Sequence, residues 1–116
     1  MIMANNEKPR SIQEYVPGKQ VTMAHLIARP LEDLCKQLGV DNAGAIGIMT
    51  ITPGEGAIIA ADAASKAGDI KLEFVDRFTG CLVFSGHIAA VESALTGAVG
   101  ALEQILGFTP TQVTKS

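Results

Sequence analysis

Apolar residues recur along this chain with two periods, near two and near 3.6, and the switches between them divide it into elements. Val21, Met23 and Ile27 fall at period two within 19–28, which predicts a strand. Arg29-Pro30 ends it, and Pro30 suits the first position of a helix, where its missing N–H needs no partner. Leu31, Leu34, Cys35 and Leu38 then form one helical stripe, with Glu32 and Asp33 in the first turn, where the helix dipole favours acids. Gly39 stops that helix. Residues 43–51 (AGAIGIMTI) read as a buried strand whose glycines mark the close approach of another backbone. Thr52-Pro53-Gly54-Glu55 has the form of a capping box with Pro at the first helical position, so a helix is expected through AIIAADAASKA to Gly68.

Residues 70–78 (IKLEFVDRF) alternate, with Ile70, Leu72, Phe74 and Phe78 expected inward and Lys71, Glu73 and Arg77 outward. Thr79-Gly80 turns the chain into a second strand, 81–85, to make a hairpin. The last helix, 88–106, carries apolar residues at 88, 91, 95, 98, 99, 102, 105 and 106; Gly107 ends it, and 108–116 reads as a polar tail. At the other end, 1–10 read as a polar leader, followed by a short strand, Ser11 to Val16, closed by Pro17-Gly18. Without the leader, four strands and three helices make an α/β (α+β) domain, a sheet covered on one face.

Composition narrows the picture further. The chain of 116 residues holds 12 acidic and 9 basic side chains, a net charge of −3, with three Arg (Arg10, Arg29, Arg77) and no basic run, so it lacks the footprint of a nucleic-acid binder. No stretch approaches the ~18 uncharged apolar residues of a membrane span. Residues 1–10 have no apolar core of a secretory signal, and two cysteines make no disulfide framework, so a reducing cytoplasm is expected. Aromatic residues are 4% of the chain, whereas 16 Ala and 12 Gly make up about a quarter of it. Such small residues let elements approach closely and leave apolar faces for other subunits to cover, so an oligomer is expected.

Candidate chemistry is sparse. His25 and His87 are far apart, and neither has a Cys, Asp or Glu at metal-ligand spacing, so both read as structural and no metal is expected. Cys35 and Cys81 read as small buried hydrophobes without the neighbouring base that a nucleophile needs. Thr52 to Gly56 could cradle a phosphate at a helix N-terminus, but a capping box explains the same residues. Asp76 and Arg77 are read as a solvent-facing or intersubunit salt bridge rather than a catalytic pair, and Lys66 as a lysine favoured by the helix C-terminus. No catalytic residue and no cofactor is expected.

IQEYVPGKQVTMAHLIARP, AGAIGIMTITPGE and LEFVDRFTG resemble the circularly permuted shell proteins of bacterial microcompartments, the class typified by EutS and PduU, over nearly the whole chain from Ile12. The resemblance implies a ferredoxin-like four-stranded sheet with helices, in which 46–51, 57–67, 70–85 and 88–106 keep the order of the unpermuted shell domain. His25-Leu-Ile-Ala-Arg-Pro30, similar to that domain's closing segment, here comes first. It divides the chain into a leader with a barrel strand, 1–18, and a permuted shell domain, 19–116. It implies a homohexamer that tiles edge to edge with other shell proteins around enzymes that make and consume an aldehyde, in ethanolamine, propanediol or choline utilisation, without nucleic acid or membrane. Lys66, Asp69, Arg29 and Pro30 match hexamer-edge positions, while Ser85 stands where the unpermuted family has an edge arginine. Ile12, Gln13, Glu14, Tyr15 and Val16 match the strand that forms a small parallel β-barrel capping the central pore. The alternative from another class is a small oligomeric metabolite-binding regulatory α/β protein.

Overall fold

A computed structural model describes residues 18–40 and 44–116. The elements, in chain order, are β1 (Gln20–Ala28), α1 (Glu32–Leu38), β2 (Ala45–Thr52), α2 (Gly56–Ala67), β3 (Lys71–Asp76), β4 (Cys81–Gly86), α3 (Ile88–Leu106) and β5 (Val113–Lys115). The expected barrel strand at 11–16 lies outside the described residues.

The five strands form one sheet in the order β3-β4-β2-β1-β5. Neighbours in the first four strands are antiparallel, and β5 joins β1 in parallel. Helices α2 and α3 cover one face. Val21, Ala24 and Leu26 of β1, Met49 and Ile51 of β2, and Leu82 and Phe84 of β4 meet Ala60 and Ala64 of α2 and Val91, Leu95, Ala98 and Leu102 of α3 in one core. The small residues act here as expected. Any Cβ on Gly97 of α3 would collide with the Ala67 methyl of α2, so the two helices cross at a distance that glycine permits. Helix α3 keeps its expected bounds, and Gly39 and Gly107 end α1 and α3 in the left-handed conformation with their N–H groups on the last-turn carbonyls.

Four local expectations are corrected. Gly47 does not admit a backbone: it lies opposite Phe84 in the β2–β4 ladder, and the buried Phe84 ring fills the space a side chain would need. The β3 alternation breaks because a bulge falls between Leu72 and Phe74. Cross-strand partners share a face, so Leu72, opposite Phe84, and Val75, opposite Leu82, belong to the helix-covered face, while Phe74, opposite Val83, belongs to the other. A bulge between Val21 and Met23 likewise puts Val21 into the core with Ala24 and Leu26, and leaves Met23 and Ile27 on the opposite face. Finally, the polar tail is structured. Phe108 is buried, the Thr109 N–H donates to the Lys19 carbonyl, and β5 extends the sheet. A three-residue strand with one apolar residue gives little pattern, and it is held instead by β1, by the Lys115–Glu92 ion pair at 2.9 Å and by hydroxyls on His25.

Candidate functional site

The sheet register sorts the candidate residues to its two ends. At one end β1 finishes at Ala28, which faces Ala45 at the start of β2; Ala45 faces Gly86 at the finish of β4. The Arg29 N–H donates to the Gly44 carbonyl at 2.8 Å, and a Cβ on Gly86 would lie 3.3 Å from the Asp69 carbonyl oxygen. Arg29, Pro30 and Asp69, forty positions apart in sequence, therefore gather at one end of the sheet. Lys66 stands on the last turn of α2, three residues before Asp69. Its ammonium pairs with Asp62 one turn back at 2.9 Å, and both side chains are well exposed. The spacing of Asp62 and Lys66, i and i+4 on one helix, was the available signal for a pair that the sequence reading did not draw. Arg29 has φ +48, a left-handed backbone uncommon for a residue with a side chain. Ser85 is not an open edge position: it is buried, and its hydroxyl donates to the Glu73 carboxylate at 2.6 Å.

The other end of the sheet, ~25 Å away along the eight residues of β2, carries the hairpin tip, the β2–α2 loop and the start of β1. Thr52 is the last residue of β2, and α2 starts at Gly56 after Glu55 with no side-chain cap hydrogen bond, so no capping box forms. The N–H groups of Gly56, Ala57 and Ile58 instead donate to the carbonyls of Pro53, Gly54 and Glu55. These amides are already engaged, which removes the basis for a phosphate cradle. Gly54 and Gly80 are required because a Cβ on either would strike a backbone carbonyl, that of Arg77 and of Ile51 respectively. The loop is locked against the hairpin tip. Lys19 reaches the same region, its ammonium on the Leu106 carbonyl at the end of α3 at 3.0 Å.

Asp76 and Arg77 act separately at this tip. The Asp76 carboxylate accepts from the Phe78 N–H and the Thr79 hydroxyl, both at 2.9 Å, while the Arg77 guanidinium stacks over Phe78, 5.0 Å from the ring centre. The Phe78 N–H, and after it the Thr79 hydroxyl, hold the Asp76 carboxyl below its ordinary range. A carboxylate depressed in the folded state stabilises the fold above its ordinary titration range, and that contribution is lost as the pH falls through the depressed value. The gap in thermal midpoint between wild type and Asp76→Ala is therefore expected to be widest near neutrality and to close below about pH 4. A gap that does not change with pH in a melting series would contradict this role.

Elsewhere the polar side chains tie the fold together. Both ring nitrogens of His25 meet hydroxyls of the C-terminal segment, Nδ1 with Thr114 at 2.6 Å and Nε2 with Ser116 at 2.8 Å, as the structural reading expects. His87 caps the start of α3 through its backbone conformation alone. Among the described residues, no group of three or more His, Cys, Asp or Glu could hold a metal ion, and no helix is long and apolar enough to cross a membrane. Cys35 is buried as expected, but Cys81 is half-buried on the wall of a cavity of about 400 Å³ with Val40 and Phe74. Burial, and the Asp76 charge beside it, push the Cys81 thiol up, which lowers its thiolate fraction, the reverse of an activated nucleophile.

The description "BMC domain" belongs to a family model that matches residues 45–114. The chain is 57% identical over 110 residues to the bacterial microcompartment shell protein EutS of Escherichia coli (strain K12), covering 95% of this chain and 99% of that protein. It is 53% identical over 108 residues to the shell protein PduU of Salmonella typhimurium, covering 92% and 93%. A solved structure described as a CutR flat hexamer superposes with a TM-score of 0.83 at 52% identity, covering 93% of this chain and 100% of that one.

Proposed function

Since the chain belongs to the BMC domain family, we propose that it assembles as a disc-like homohexamer and that these discs tile edge to edge with other shell proteins. It is a shell protein of a bacterial microcompartment, a structural subunit and not an enzyme. The observation that carries the hexamer is the match over the whole length of a chain solved as a flat hexamer. The shell lies in the cytoplasm and encloses enzymes that make and consume an aldehyde.

The two ends of the sheet support an orientation within the disc. The end with Arg29, Pro30, Asp69 and Lys66 faces outward as the hexamer edge. The end with the hairpin tip faces the sixfold axis, and β1 begins there. Ile12, Gln13, Glu14, Tyr15 and Val16 of six copies then form a parallel barrel that caps the central pore, closing its own strand edges. The family model begins at residue 45, with β1 ahead of it. This supports a circular permutation in which β1 and its Arg29-Pro30 supply the strand that closes the unpermuted domain, so that 19–116 is one shell domain. Phe78, Ile105 and Leu31 are each more than three-quarters exposed in the single chain, as surfaces covered by neighbouring subunits would be.

Lys66→Ala tests the edge. The variant is expected to keep the hexamer mass in native mass spectrometry, because Lys66 is exposed, and to lose the extended sheets seen by negative-stain microscopy. Sheets that persist in this variant would remove Lys66 from the contact.

A further inference from the structure

We propose that Asp62 is a positioning residue for assembly: it neutralises and aims Lys66 so that a second copy of this chain can face it without repulsion. The proposal rests on the reading of Lys66 as an edge contact. Identical discs tiled edge to edge meet across two-fold axes at the middle of each edge, so a residue at the contact faces its own copy. Two unpaired lysines facing each other would repel. Asp62 stands one turn toward the N-terminus from Lys66, the order that favours an ion pair on a helix, with its carboxylate 2.9 Å from the ammonium. The side chains remain 62% and 76% exposed, so a facing copy can reach both.

The pair is self-complementary. Across a two-fold axis, Asp62 of each copy can accept Lys66 of the other, which gives a ring of four alternating charges. The wall beside it is apolar: Ile59, Ala63, Ala67, Ala101 and Ile105 line a groove of about 300 Å³ between α2 and α3, with the two charges on its rim. Charges at the rim of such a groove are screened less than charges surrounded by water, so both the repulsion of a bare lysine and the attraction of the ring are strengthened. Ser85 contributes no arginine to this edge, and its hydroxyl is held inward by Glu73.

Asp62→Asn removes the charge and keeps the shape. The test is the protein concentration at which sheets form, followed by light scattering and negative-stain microscopy from low to high salt, for wild type, Asp62→Asn and Lys66→Ala. Asp62→Asn is expected to remain a hexamer by native mass. At low salt its threshold rises on the order of two- to fivefold above wild type, and the gap closes as salt screens the facing lysines. A threshold that is unchanged or lower at low salt, or a gap that salt leaves open, overturns the role of Asp62; the Lys66 contact still stands if Lys66→Ala has lost its sheets. A Lys66→Ala protein that assembles like wild type overturns the edge reading, and the role of Asp62 falls with it.

Discussion

Phe84→Ala is expected to lower folding stability by about 3–5 kcal/mol, as for other fully buried aromatic residues. Phe84 has no exposed surface, and its ring lies across β2 over Gly47, beside Val91 of α3. Removal of the ring opens a cavity at the centre of the sheet, between two strands and the longest helix, where the surrounding elements cannot close on it. The pairing of a large residue with a glycine adds a sharper expectation. A Cβ on Gly47 would lie 2.5 Å from the Phe84 ring, so Gly47→Ala alone is destabilising, whereas in the Phe84→Ala background the ring clash is gone and the same methyl meets the Val91 side chain, at 3.0 Å. The two substitutions are therefore non-additive, with the double variant more stable than the sum of the single losses implies. Guanidinium denaturation at one fixed protein concentration measures this, because assembly ties apparent stability to concentration. A Phe84→Ala loss under about 1 kcal/mol would contradict the packing described.

Gly80→Ala has the second large effect, about 2–5 kcal/mol from left-handed strain and forced displacement together. Gly80 sits at φ +79, and an added Cβ would strike the Ile51 carbonyl, part of the central strand and not a side chain that can turn away. The glycine also makes two backbone bonds, its N–H to the Asp76 carbonyl and its carbonyl from the Ile51 N–H. One substitution therefore disturbs the hairpin turn and its seat on β2 together. The expected result is loss of stability with loss of hexamer in native mass spectrometry, since the tip faces the sixfold axis in the proposed disc. A Gly80→Ala protein as stable as wild type would mean that the tip adapts freely to an added methyl.

Periodic segments were legible in the sequence, and departures from periodicity were not. The stripe from Ile88 to Leu106 and the glycines at 39 and 107 marked helix bounds that the structure keeps. Helical periodicity is local, and left-handed caps select glycine. The bulges in β1 and β3 have no local signature, so a simple alternation puts Val21 with Met23 and Leu72 with Phe74, pairs that the structure splits between the two faces of the sheet. Thr52 to Glu55 carries the residue types of a capping box, but Thr52 is committed to the β2 ladder opposite Gln20, which leaves its side chain no part in the helix start. The fifth strand was invisible for a related reason. Its stability comes from β1, about ninety residues away in sequence, through Ala24, His25 and Leu26. The proposed edge divides in the same way. Lys66 and Asp69 are three residues apart in sequence, but their gathering with Arg29 depends on register across three strands, which no single segment contains.

Negative-stain microscopy of the concentrated protein tests the central claim most directly. The account predicts sixfold discs joined edge to edge in extended sheets, each disc holding six chains of 12.1 kDa. Separate dimers or trimers with no lattice at any concentration would contradict it and would favour the small oligomeric regulator instead.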